Sequence, residues 1–270
     1  MTANAASRTN RSRTGRMSMG EHLIELRKRV YISALGIAVG MVGGWFLSDF
    51  LLNAIRQPIF DVAANQGRVA TLNYDSISSA FDLRMQIALT IGVIISSPVW
   101  LYQVWAFFVP GMTRREVRYV LGFFFCAVPL FIAGCWAGWY VFPHIVELMT
   151  SFAPADDSTI ITAKTYFDFV LKLTVVVGVA FVLPVFLVML NSADVISAKA
   201  IIKGWRIAIL LITLFTAIAT PAADVLSMFL LAIPMVGLYF LAAAIAWGHD
   251  RRAAKRAATL SPDVASDLAA

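Results

Sequence analysis

Residues 166–190 read YFDFVLKLTVVVGVAFVLPVFLVML, and their composition is that of a segment inside a lipid bilayer. The only charged residues in this segment are Asp168 and Lys172, so 18 uncharged and mostly apolar residues follow Lys172. A helix needs about 20 predominantly apolar residues to cross the hydrocarbon core of a bilayer. The segment is therefore predicted to be a transmembrane helix.

Similar segments recur along the chain and predict six membrane spans. The chain of 270 residues is 60% hydrophobic and only 14% charged, a composition too apolar for an ordinary soluble domain. We expect an all-α integral membrane domain over residues 16–250, with disordered cytoplasmic tails at 1–15 and 251–270. The predicted spans cover about residues 30–48, 86–109, 119–142, 166–190, 205–220 and 225–247.

The positive charges indicate how these spans are oriented. Of the 22 Lys and Arg residues, 17 lie before the first span, between the second and third, between the fourth and fifth, or after the sixth. Because cytoplasmic loops are enriched in Lys and Arg, both termini are predicted to be cytoplasmic, which requires an even number of spans. Since the charges are divided among four short segments, they form no continuous basic stripe that would bind nucleic acid.

The fifth span is unusually short. Its 16 residues from Trp205 to Thr220 reach about 24 Å as a helix, against a hydrocarbon thickness of about 30 Å. We expect a short fifth helix, hairpinned to the sixth, to leave the bilayer locally thin. The longer segments 49–85 and 143–165, on the opposite side from the termini, are expected to form structured caps.

No motif in the sequence indicates catalysis. There is no phosphate-binding loop and no paired cysteine motif, and the histidines, His22, His144 and His249, are scattered. The protein is therefore predicted to be no enzyme and to need no cofactor. A small-solute secondary transporter is an alternative, but it would need charged residues at the membrane midplane. A membrane scaffold without its own ligand is a further alternative.

Two carboxylates among cytoplasmic basic residues are the candidates for ligand binding. Glu25 lies in His22-Leu-Ile-Glu25-Leu-Arg27-Lys-Arg29, and Glu116 closes the segment that starts at Phe107 and contains Pro110. One interpretation makes Glu25 the partner of Arg29 in an exposed i, i+4 ion pair, worth about 0.3–0.5 kcal/mol, and Glu116 a first-turn surface charge. In the other, both carboxylates accept guanidinium groups from a ligand, because the planar fork of arginine binds carboxylate bidentately.

Three separated motifs in this sequence resemble the TatC family, the multispanning receptor of the twin-arginine protein translocase. They are the His22-Leu-Ile-Glu25-Leu-Arg27 segment, the stretch from Ser97-Pro98 through Trp105-Ala-Phe107 to Glu116, and Leu-Ala-Ile-Pro234. The resemblance runs from about Ser18 to Trp247. It implies a concave, glove-like bundle of six helices in which helices five and six are short.

The resemblance also assigns roles to particular residues. It implies that Glu25 and Glu116 contact the paired arginines of a signal peptide, and that Arg27, Pro98, Phe107 and Pro110 belong to the same recognition surface. It implies an external cap and partner-docking region at Pro58, Thr220, Asp224 and Met228. For Asp224 an N-cap role at the sixth helix is an equal alternative, and for Pro58 the alternative is a rigid turn.

The sequence departs from the family pattern at two places. Val182 stands where the family commonly has a glutamate in the fourth helix. The Thr220-Pro221-Ala-Ala-Asp224 turn is one residue longer than usual, and Met228 replaces a frequent glutamine. The first departure predicts that the polar spot inside the membrane pocket is missing or lies elsewhere, and the second predicts a changed affinity or selectivity for the single-span partners.

Together the residues and the resemblance predict a receptor and core subunit for export of folded proteins, driven by the proton gradient. The expected partners are twin-arginine signal peptides, single-span subunits of the TatA/TatB type, further copies of the chain and the lipid bilayer. The expected location is a bacterial plasma membrane.

Overall fold

The computed structural model describes residues 19–65, 70–108, 114–151, 159–192, 195–220 and 225–267. In this part of the chain, helices account for nearly all regular structure, and one short sheet joins two distant segments. The helices are α1 (Met19–Asn65), α2 (Ser79–Ile95), α3 (Ser97–Phe108), α4 (Arg114–Ser151), α5 (Ala163–Ser192), α6 (Ala198–Lys203), α7 (Trp205–Ala219) and α8 (Val225–Asp267). The strands are β1 (Ala70–Asn73) and β2 (Thr159–Thr162).

Several of these helices are long and apolar enough to cross a membrane. Four qualify individually, namely α1, α4, α5 and α8, and the bent pair α2 and α3 gives a fifth if it is one span. The apolar α7 has 15 residues and is shorter than a full span, as the sequence predicted. The prediction of a mainly helical protein with several membrane-spanning helices is therefore confirmed.

The span predicted at 86–109 is broken, and its prediction as one helix is wrong. α2 ends at Ile95, α3 begins at Ser97, and the two are bent by 58°. Pro98, the second residue of α3, has no N–H with which to continue the helical hydrogen-bond ladder. The indole of Trp100 donates to the carbonyl of Val93 at 2.9 Å, so a side chain satisfies an acceptor beside the break.

The first and last helices extend beyond their predicted spans. α1 is one helix of 47 residues that includes the predicted amphipathic segment, the span and Pro58, which was expected in a turn. α8 continues to Asp267, which differs from the disordered tail expected at 251–270. Residues 251–258, which read RRAAKRAA, are strong helix formers and favour the continuation. The tail predicted at 1–15 lies outside the described residues.

A two-stranded parallel sheet connects the segments that were predicted to form caps. Ala70 of β1 lies opposite Thr159 of β2, and Asn73 lies opposite Thr162. The all-α prediction is therefore wrong in this detail, because strand pairing between distant segments leaves little local signal. Beside the sheet, the hydroxyl of Tyr166 donates to the carbonyl of Ile55 at 2.8 Å, and Arg56 donates to the hydroxyl of Tyr74.

The core lies around α5, which packs against α4, α2 and α8. The most apolar part of α5 is 61% buried, whereas the corresponding part of α1 is only 6% buried. α1 is thus a peripheral helix that exposes most of its apolar surface and touches its neighbours along one narrow face. Val182 of α5 is buried with Trp105 and Phe131 in an apolar cluster, in agreement with a missing polar spot at this position.

The buried hydroxyl of Tyr166 offers a test of this packing. Tyr166→Phe should keep the ring in place but leave the carbonyl of Ile55 without this partner, which costs about 1–2 kcal/mol of unfolding free energy. Thermal unfolding in detergent would measure the loss. Tyr140→Phe is the matched control, since Tyr140 is 54% exposed and its loss should change stability little. Equal stability of both variants and the wild type would contradict the assigned role.

Candidate functional site

Glu25 and Arg29 form a half-buried ion pair on α1. A terminal nitrogen of Arg29 lies 2.5 Å from Oε1 of Glu25, and Nε of Arg29 donates to the same oxygen at 3.2 Å. Both side chains are 21% exposed, so the pair is far less hydrated than a typical surface pair. The i, i+4 pairing predicted from the sequence is confirmed, and the pair is less exposed than expected, so that both its mutual attraction and its desolvation cost are larger than on an open surface.

The second oxygen of Glu25 has no hydrogen-bond partner within the described residues. Both bonds from Arg29 end on Oε1, while Oε2 is buried and unpaired among the described residues. A buried carboxylate oxygen without a donor carries a desolvation cost of about 1–3 kcal/mol or more. An incoming donor at Oε2 would remove this cost, so the carboxylate is prepared to accept a hydrogen bond from a ligand.

Gln103 of α3 connects this pair to a second helix. Arg29 donates to Oε1 of Gln103 at 3.3 Å, across 74 residues of sequence. Four residues further along α3, the ring of Phe107 stacks on His22 of α1 with centroids 4.3 Å apart. These two contacts hold the end of α3 against the helix that carries Glu25.

A cavity of about 520 Å³ lies along the same helix pair. Its lining is mainly apolar and comes from α1 (Leu26, Val30 and Ala34) and from α3 (Trp100, Val104 and Phe107), with Arg29 and Gln103 also on its wall. The guanidinium–carboxylate pair and the apolar cavity are therefore adjacent. An extended ligand with a cationic group followed by apolar side chains would find complementary surfaces for both.

The structure describes three of the other predicted recognition residues. Arg27 is exposed on α1, Pro98 is exposed at the α2–α3 break, and Phe107 is half-buried. Glu116 lies in the first turn of α4, as predicted, but its side chain is outside the described part of the chain. Pro110 also lies outside the described residues.

The predicted partner-docking residues lie on different helices. Pro58 is half-buried inside α1. Thr220 follows α7 and is buried, and its hydroxyl donates to the carbonyl of Thr216 at 2.9 Å. Met228 is half-buried in the first turn of α8, and Asp224 lies outside the described residues.

Sequence reasoning did not assign the roles of Arg29 and Gln103 at this site. The i, i+4 spacing indicated that Arg29 could pair with Glu25, but it could not indicate that one oxygen of Glu25 stays free. Gln103 lies in the motif that runs from Ser97 to Glu116, which assigned it no role. Its contact with Arg29 depends on how α3 packs on α1. A polar residue within an otherwise apolar helix was the available signal.

Comparison with known proteins identifies the family. The family model described as "Sec-independent protein translocase protein (TatC)" matches residues 21–234. The TatC protein of Xylanimonas cellulosilytica is 45% identical, over 91% of this chain and 89% of its own. TatCy of Bacillus subtilis is 30% identical, over 92% and 96% of the two chains.

The fold leads to the same family. A crystal structure of the twin-arginine translocase receptor TatC in DDM superimposes with a TM-score of 0.71 at 27% identity, covering 83% of this chain and 99% of that one. A second crystal structure of this receptor gives a TM-score of 0.66 at 28% identity, covering 83% and 97%. This chain therefore belongs to the TatC family and is a subunit of the twin-arginine translocase.

Proposed function

We propose that this chain is the signal-peptide receptor and core subunit of a twin-arginine translocase that exports folded proteins. The observation that carries this proposal is the buried, unpaired Oε2 of Glu25. A signal-peptide arginine donates to this oxygen while Arg29 keeps Oε1 in place. Charge-assisted bonds of this kind are about twice as strong as neutral ones, and partial burial strengthens them further.

A pair of arginines suits a site with two carboxylates. Glu116, in the first turn of α4, supplies the second acceptor, and Arg27, Pro98 and Pro110 shape the surface between them. The apolar segment that follows the arginines in a signal peptide enters the concave side of the bundle. The cavity beside Phe107 supports this step, because it offers apolar surface next to Glu25.

The topology in this proposal is six spans with both termini in the cytoplasm. The bent α2–α3 pair counts as one span and the short α7 as another, and together with α1, α4, α5 and α8 they make six. The bundle is glove-like. The distribution of Lys and Arg supports this orientation. The location is a bacterial plasma membrane.

Single-span partners of the TatA/TatB type pack along α7 and α8, with Thr220, Asp224 and Met228 at that surface and Pro58 in the external cap. The 15 residues of α7 reach only about 22 Å as a helix, which thins the bilayer beside the docked partners. Several copies of the chain assemble into one receptor complex. The transmembrane proton gradient supplies the energy.

Export of two matched reporters tests the receptor function. In cells whose only receptor is this chain, expressed with its own single-span partners, a folded reporter with a twin-arginine signal should reach the other side of the membrane. The same reporter with a Lys-Lys pair should be exported at least about 10-fold less, because an ammonium lacks the planar fork of a guanidinium. Equal export of both reporters, or none of the first at a normal membrane level, would refute the proposal.

A further inference from the structure

A second cavity, of about 500 Å³, lies between α5, α6, α7 and α8 and is separate from the recognition site. Its lining is apolar apart from Tyr239, whose hydroxyl donates to the carbonyl of Ile201 at 2.6 Å and is thereby satisfied. A ligand inside this cavity would find hydrocarbon surface and no free polar side chain from the lining residues. The cavity therefore suits an apolar chain.

This cavity opens sideways toward the membrane. Leu183 of α5 and Ile207 and Leu211 of α7 line it and are 55%, 67% and 55% exposed. From Gly204, just before α7, to Ile212 the lining is about 12 Å deep at 1.5 Å per residue. This depth is less than half of the hydrocarbon thickness of about 30 Å, so the cavity fits within one leaflet.

Positive charge is concentrated at one end of the cavity. Three basic residues each come directly before a lining residue: Lys199 before Ala200, Lys203 before Gly204, and Arg206 before Ile207. Their side chains are exposed, and in the described part of the chain none of them pairs with an acidic residue. Trp205, whose ring lies 5.5 Å from the Arg206 guanidinium, is the residue type that marks the headgroup level.

The wall near these charges is fixed by part-buried polar contacts. Asp250 of α8 accepts hydrogen bonds from the backbone N–H of Ala198 at 2.8 Å and from the side-chain amide of Asn191 at 3.0 Å. These bonds join the start of α6 to the end of α5 and to the middle of α8, and they fix the position of α6 at this wall of the cavity.

We propose that this cavity binds an acyl chain of an anionic phospholipid, whose phosphate lies against Lys199, Lys203 and Arg206. An acyl chain matches both the apolar lining and a depth of less than one leaflet. Basic groups at the cytoplasmic surface attract anionic headgroups, which gives the proposal its lipid class.

Photo-labelling with lipid probes tests this proposal. The full chain is placed in phosphatidylcholine nanodiscs that contain a trace of lipid with a diazirine in its acyl chain, and labelled peptides are mapped by mass spectrometry. A phosphatidylglycerol probe should label α6 and α7 at least about fivefold more than a phosphatidylcholine probe. Equal labelling by the two probes would overturn the assignment to anionic lipid.

Matched variants separate the cavity from the charges. Ala208→Phe places a ring in the cavity and should reduce labelling at least about fivefold, whereas Ala217→Phe, at an exposed position of α7, should not. Lys199→Gln with Lys203→Gln should lower phosphatidylglycerol labelling toward the phosphatidylcholine level, whereas Arg251→Gln with Arg252→Gln should not.

Two further outcomes would overturn the proposal. Labelling that is unchanged by Ala208→Phe would show that the probe labels the lipid-exposed surface of the protein and does not occupy the cavity. If a photo-probe in a single-span partner helix or a signal peptide labels the same lining residues and displaces the lipid, the natural occupant is a helix. Neither outcome bears on Glu25, so the test is independent of the proposed receptor function.

Discussion

Replacing Glu25 with glutamine is expected to weaken binding of a twin-arginine signal peptide by at least about 2 kcal/mol, or about 30-fold in Kd. The glutamine has nearly the same shape and can still accept from Arg29, but it carries no charge for an incoming guanidinium. Without the carboxylate charge, the incoming guanidinium would be partly desolvated on binding with no opposite charge at residue 25 to compensate it. Binding of a labelled signal peptide to the purified chain in nanodiscs would measure the change, and export of the folded reporter should fall with it.

The fold should tolerate this substitution, so the binding loss can be separated from unfolding. Arg29 keeps its hydrogen bond to Gln103, and the half-buried position of residue 25 stays filled. Asp82→Asn is a suitable control, because it removes one negative charge from an exposed position on α2. Glu116→Gln should act in the same direction as Glu25→Gln. Wild-type affinity in both Glu variants at normal thermal stability would show that the carboxylates are ordinary helix charges.

The parts of the fold that follow from local composition were predictable from the sequence. The segment 166–190 lies within the observed α5, because 18 consecutive uncharged residues leave a membrane helix as the only way to satisfy the backbone in lipid. The pairing of Glu25 with Arg29 followed from helical spacing. Both features depend on residues that are close in sequence.

The features that the sequence did not predict depend on tertiary contacts. At the break around Ser96, the carbonyl of Val93 accepts from the indole of Trp100, a contact that depends on how α3 is bent by 58° against α2. Arg29 makes three side-chain hydrogen bonds: two end on Oε1 of Glu25 and the third ends on Gln103. Oε2 of Glu25 therefore receives none of them. No spacing rule gives this arrangement, and for the same reason the apolar cavities between helices could not be read from the sequence.

Replacing Gly44 with leucine is expected to prevent the chain from accumulating in the membrane as a folded protein. A Cβ atom at Gly44 would lie 2.4 Å from the backbone oxygen of Ala88 and 3.0 Å from Cβ of Ile91, so α1 and α2 would have to separate. Overpacking at buried positions costs about 1–3 kcal/mol, and a clash with the backbone of a neighbouring helix exceeds this range because backbone cannot rotate away. Native stability is only about 5–15 kcal/mol, so most of the folded population would be lost.

Gly43 provides the matched control, because it is the adjacent residue of the same helix and a Cβ there would meet nothing within 4 Å. Gly43→Leu should leave the folded amount unchanged or raise it, since leucine is a better helix former than glycine. Membrane levels and thermal unfolding of the two variants would compare them directly, and equal behaviour would refute the close packing of α1 on α2. Because α1 also carries Glu25 and Arg29 while Gln103 stands on α3, any Gly44→Leu protein that survives should bind signal peptide weakly. Close approach of α1 to its neighbours is thus a condition for the recognition site as well as for the fold.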